Sequence, residues 1–152
     1  MVVFNGALNK LINFIENNQQ VGIVAPQVLN PDKTIVDSCC RWPKWNTFIY
    51  RRTFLGQIEK GQKELDRFLY KDLDLSQAQK VNWIFGCCLL LRKKALDEAG
   101  LFDENFFLFL EDTDLCRRMW KKNWQVWYVP QAQVVHYPHR LSSGSNNLKD
   151  LF

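Results

Sequence analysis

Apolar positions along the chain alternate between helical and strand-like spacing. Residues 6–18 (GALNKLINFIENN) place Ala7, Leu8, Leu11, Ile12, Phe14 and Ile15 near a 3.6-residue period and end in the turn-prone pair Asn17-Asn18, which predicts an amphipathic helix. Val21-Gly22-Ile23-Val24-Ala25 is a short apolar run closed by Pro26. Proline cannot donate to a sheet ladder, so the run predicts a buried strand that stops there. Asn30-Pro31-Asp32-Lys33 supplies turn chemistry between Val28-Leu29 and Thr34-Ile35-Val36, and the chain is expected to double back at that point.

From 38 to 80 the pattern blurs around Trp42, Trp45, Tyr50 and the basic pair Arg51-Arg52, with a helix expected over Glu64, Leu65, Phe68 and Leu69. This stretch reads as a variable insertion over the site. Order returns with Val81-Asn82-Trp83-Ile84-Phe85-Gly86 and the run from Cys87 to Leu91, a strand interrupted near Gly86. A short helix over 92–99 is closed by Gly100, and the aromatic run Phe106-Phe107-Leu108-Phe109 is expected in the core. From Glu111 to Lys122, Leu115, Met119 and Lys122 share one face with Cys116 and Trp120 beside it, while acids lead and bases trail, the order a helix dipole favours. Val126-Trp127-Tyr128-Val129-Pro130 and Gln133-Val134-Val135-His136 predict two short strands, and 142–152 is a Ser-, Gly- and Asn-rich flexible tail. The fold class is therefore α/β, a mixed sheet flanked by helices.

Composition narrows this reading. At 152 residues, 47% apolar and 14% aromatic, the chain supports one core and not two. Lys and Arg number 20 against 16 acids, and the resulting +4 is spread through the chain, which argues against nucleic acid as a partner. So mild an excess fits a soluble surface or a weak attraction to anionic lipids or sugar diphosphates. The five cysteines occur as Cys39-Cys40, Cys87-Cys88 and Cys116, without the C-x-x-C spacing of structural zinc sites, and fit reduced thiols in a cytoplasmic setting. No apolar run reaches the roughly 20 residues that span a bilayer, and the first residues lack a signal-peptide layout.

The densest chemical signal is Glu111-Asp112-Thr113-Asp114. Adjacent carboxylates at a helix start meet free backbone N–H groups and the positive end of the dipole, which is expected to keep a carboxylate ionised. Two readings follow: acids that only cap the helix, or a general base that takes a proton from an attacking hydroxyl.

Residues 83–139, WIFGCCLLLRKKALDEAGLFDENFFLFLEDTDLCRRMWKKNWQVWYVPQAQVVHYPH, resemble family 2 glycosyltransferases of the rhamnosyltransferase-like kind, and residues 6–36 resemble the segment that follows the donor-metal motif of those enzymes. The resemblance implies a partial GT-A (Rossmann-like) domain over 1–141, its acceptor-side half, with the nucleotide-binding strands and the Asp-x-Asp metal motif lying ahead of Met1. It implies an inverting transfer from a nucleotide-sugar donor to a glycan or lipid-linked acceptor, with a divalent metal, Mg or Mn. Asp112 would be the base and Glu111 would orient the acceptor. Trp83 and Gly86 would line the pocket, Asp114 would secure the helix, and His136 would join the metal. Peripheral association with the inner membrane face and homo-oligomerisation accompany this expectation.

From the residues alone, alternatives stay open for each. Trp83 could be a core aromatic, Gly86 could relieve crowding at a bulge, and His136 could be packed and hydrogen-bonded at a strand end. Arg117 and Arg118 could reach a diphosphate or pair with Glu111 or Asp114. Asp72-Leu73-Asp74 and Asp112-Thr113-Asp114 are literal Asp-x-Asp strings, but neither follows an apolar strand as a metal motif should. A non-catalytic interaction module, and a thiol or metal module using Cys39, Cys40, Cys87, Cys88, His136 and His139, are the competing classes.

Overall fold

The computed structural model describes residues 1–106 and 110–137. Phe107, Leu108, Phe109, His139 and the expected tail lie outside the described residues. The chain opens with strand β1 (Val2–Val3), helix α1 (Ala7–Asn17) and strand β2 (Val21–Leu29). The expected amphipathic helix thus forms, burying Ala7, Leu11 and Ile15 against the sheet. The doubling-back after β2 is also present: the Asn30 N–H donates to the Thr34 carbonyl at 2.9 Å, and the Val36 N–H to the Val28 carbonyl at 2.9 Å.

The longest strand, β7 (Gln125–Val135), lies parallel to β2 and organises the main sheet. Its other edge pairs antiparallel with β4 (Gln79–Lys80) near Trp127 and with β1 at Val134 and Val135. Beyond β2 lies β6 (Leu90–Leu91), again antiparallel. Both proline-based strand ends are corrected by this geometry. β2 runs past Pro26 to Leu29, and the two strands expected on either side of Pro130 are one. The register jumps from Pro26↔Val129 to Gln27↔Gln133, leaving 130–132 of β7 without partners in β2. Both prolines fall at this bulge: Pro130 lies among the residues without partners, and Pro26 is the last paired residue before the register shift.

The interrupted strand at 81–91 is two strands in different sheets. β5 (Trp83–Ile84) pairs antiparallel with β3 (Cys39–Cys40), whereas β6 joins the main sheet. Gly86 lies in the crossing between them. Helices α4 (Lys93–Ala99) and α5 (Glu111–Lys121) then pack on the same side, with Leu115, Cys116 and Met119 fully buried. Phe106, expected in the core, is exposed.

The stretch from 38 to 80 is more integral than an insertion. β3, Phe68 and Tyr70 belong to the main core, and Arg41 N–H bonds to the carbonyl of Phe68 at 2.8 Å. Between them stands a small helical unit: α2 (Trp45–Arg52), a 3-10 turn (Phe54–Gln57) and α3 (Glu59–Phe68). Its backbones touch at two glycines. A Cβ on Gly56 would stand 2.2 Å from the Tyr50 carbonyl oxygen, and one on Gly61 would stand 2.0 Å from that of Leu55.

Candidate active site

Helix α5 begins abruptly. Leu110, its N-cap, has φ 70°, a left-handed conformation that costs a non-glycine residue about 1–2 kcal/mol. The turn aims the first helical residues, Glu111 and Asp112, at the crossing between β5 and β6. Asp112 Oδ2 accepts the Gly86 N–H at 2.8 Å. Its Oδ1 accepts the Thr113 N–H at 2.6 Å and the Thr113 hydroxyl at 3.2 Å.

Despite these donors, the Asp112 pKa is raised. Burial is the largest cause and outweighs the Gly86 and Thr113 bonds, and the neighbouring Glu111 charge adds to the rise. The helix start therefore does not hold this carboxylate low, as its sequence position suggested. Beside it, Glu111 Oε2 is buried with no hydrogen-bond partner among the described residues. A carboxylate oxygen withdrawn from water without a donor is costly, so the site presents an acceptor suited to an incoming hydroxyl.

A Cβ on Gly86 would meet Asp112 Cβ at 3.5 Å and Oδ2 at 3.7 Å, ordinary contact distances, so the position does not require glycine for space. Trp83 does not line the opening. It is 4% exposed, packs against Phe68 and Phe85 with ring centroids 6.3 and 5.3 Å away, and donates its Nε1–H to the Arg41 carbonyl at 3.2 Å. The ring supports β5 from within the core.

Arg118 is likewise committed to structure. Its Nε bonds Asp114 at 2.6 Å, and its other nitrogens donate to the carbonyls of Ala99, Gly100 and Leu101 at 2.6, 3.0 and 2.8 Å. This latch ties α5 to the end of α4 and fixes where the helix starts, so Arg118 holds no diphosphate here. Arg117, one residue earlier, is exposed.

His136 lies at the end of β7, half-buried, with its backbone N–H on the Leu29 carbonyl at 2.9 Å. Among the described residues no group of three His, Cys, Asp or Glu side chains could hold a metal ion. The thiols do not assemble either. Burial pushes those of Cys39 and Cys116 up to about 12, and all five cysteines are unpaired.

Two residues escaped the sequence reading. Thr113 is a second positioning donor for Asp112, recognisable only once the helix start is known. Asp37, ion-paired with Lys71 at 3.2 Å, precedes β3, and Phe85 N–H donates to the carbonyl of its neighbour Ser38 at 2.9 Å. Asp37, Ser38, Gln27 and Tyr128 border a cleft of about 340 Å³ on that side of the strand pair.

Residues 51–143 match the model of the Glycosyl transferase family group 2. The chain belongs to this family, and its mixed sheet with flanking helices is a partial GT-A fold. It is similar, at 29% identity over 135 residues, to the N-acetylglucosaminyl-diphospho-decaprenol L-rhamnosyltransferase of Mycobacterium tuberculosis, covering 87% of this chain and 42% of that protein. It is 34% identical over 59 residues to the rhamnosyltransferase WbbL of Escherichia coli K12, covering 39% of this chain and 22% of that one. The chain thus spans less than half the length of the curated relatives it matches.

Proposed function

We propose that this chain forms the acceptor side of an inverting glycosyltransferase in which Asp112 is the general base. The observation that carries the reading is the pairing at the start of α5. A half-buried carboxylate with a raised pKa is held by a backbone N–H, and beside it lies a buried carboxylate oxygen with no donor. A raised pKa strengthens the ionised form as a base, which suits proton removal from a hydroxyl.

In the reaction, the acceptor hydroxyl donates a hydrogen bond to Asp112 while Glu111 Oε2 receives a neighbouring hydroxyl and fixes the sugar's orientation. The acceptor oxygen bonds to the anomeric carbon as the bond to the nucleoside diphosphate breaks, and the hydroxyl proton passes to Asp112. One displacement inverts the anomeric centre. The relatives' names support L-rhamnose as the sugar and a diphosphate-linked polyprenol saccharide as the acceptor.

A divalent cation, Mg or Mn, would neutralise the departing diphosphate. The described residues alone do not make its site, and His136 is the contribution this chain would offer. The register Val2↔Val135 brings the start of β1 beside the strand end that carries His136. Among the described residues no helix is long and apolar enough to cross a membrane, and a cytoplasmic protein meeting its acceptor at the inner membrane face fits this proposal.

The test is transfer from a nucleotide-activated L-rhamnose to a diphosphate-linked lipid acceptor by the protein that carries this chain. Asp112→Asn is expected to reduce kcat by about 10²–10⁴-fold with the fold intact by circular dichroism. Activity within tenfold of wild type would remove Asp112 from the mechanism.

A further inference from the structure

Helix α2 is inside out. Trp45, Phe48, Ile49 and Arg52 recur at the i, i+3, i+4, i+7 spacing that marks the buried stripe of an ordinary surface helix, yet all four face solvent. Trp45 is 78% exposed and Phe48 57%, and the 3-10 turn extends the stripe with Phe54 at 76%. The inward face is polar instead: Thr47 is fully buried and donates its hydroxyl to Glu64 at 2.6 Å. Close backbone contacts at Gly56 and Gly61 brace the helical unit that carries this aromatic face.

The charge that looks dispersed along the chain is concentrated here. The helical unit, residues 44–68, holds Lys44, Arg51, Arg52, Lys60, Lys63 and Arg67 against Glu59, Glu64 and Asp66. It therefore carries +3 of the chain's net +4.

We infer that the exposed face of α2 and the following turn is a docking surface for an anionic lipid bilayer. Aromatic rings enter the interfacial layer while Lys and Arg meet the negative headgroups. The concentrated positive charge selects a negative surface, and Arg52 and Lys60 are exposed at its rim. The inference does not depend on glycosyl transfer, and its test reads lipid binding only.

The experiment is co-sedimentation of the 152-residue chain with vesicles of phosphatidylcholine alone or mixed in equal parts with phosphatidylglycerol. The chain is expected to pellet with the mixed vesicles, and added salt weakens this binding. The triple variant Trp45→Ser/Phe48→Ser/Phe54→Ser is expected to lose about tenfold or more of it. Arg52→Glu/Lys60→Glu should release the chain from the mixed vesicles with its melting temperature unchanged, which separates lost binding from lost folding. A wild-type chain that stays in solution, or variants that pellet like wild type, would overturn the inference. So would equal binding to neutral vesicles, or a dimer in sedimentation velocity that the triple variant dissolves, since the face would then belong to a second copy.

Discussion

Glu64 and Asp112 are both carboxylates withdrawn from solvent on helices, and the chain treats them in opposite ways. Glu64 is 8% exposed and saturated with partners: Arg67 donates twice at 2.8 and 2.7 Å, Thr47 donates at 2.6 Å, and Lys44 stands 3.7 Å away. The Arg67 bonds, ahead of all other causes, hold its pKa down to about 2. Asp112 is bonded only to a backbone N–H and to Thr113, with no cation against it in the described contacts, and burial moves its pKa up. A carboxylate paired with cations maintains structure. One held by neutral donors alone, beside a neighbouring carboxylate oxygen that has no partner, is held ready for a ligand.

The contrast breaks if activity and stability respond alike at the two positions. Asp112→Asn should remove most of the transfer rate while leaving the melting temperature near wild type, because it discharges a desolvated group. Glu64→Gln should leave Arg67 beside a neutral side chain and destabilise the fold by about 3 kcal/mol in urea unfolding. The pH dependence sharpens the same point. With a folded pKa of about 2 against an ordinary 4.5, Glu64 contributes stability that is complete above about pH 4.5 and is lost as pH falls toward 2. Asp112 has the opposite sign, since its ionisation costs stability above its raised pKa and that cost is absent in acid.

Smaller effects test how the site is held. Arg118→Gln breaks the latch to Asp114 and to the carbonyls closing α4, and should cost about 2 kcal/mol of stability in the same assay. Gly86→Ala keeps the N–H that Asp112 accepts and places its Cβ at ordinary contact distance, so stability should change by less than about 1 kcal/mol.

Helices α1 and α5 were legible in the sequence because their apolar residues keep a 3.6 period toward one core face. The acidic start of α5 was legible as a helix start, although burial reversed the expected direction of the Asp112 shift. The strands were misread at Pro26 and Pro130 because each proline looks like a stop in isolation. Only their meeting at one bulge lets both strands continue. Trp83 gave no sign of whether it faced a ligand or the core, since its partners Phe68 and Arg41 lie far away in sequence. The stripe on α2 was hidden for a different reason: periodicity reports that a helix has an apolar face, not which way that face points.

The central claim, that Asp112 is the base, is tested most directly by the pH dependence of kcat/KM for transfer in wild type and Asp112→Asn. The wild-type rate is expected to fall on the acid side with an apparent pKa above the ordinary carboxylate value, and the small residual rate of the variant to lack that limb. A variant that keeps both the rate and the acid limb would contradict it.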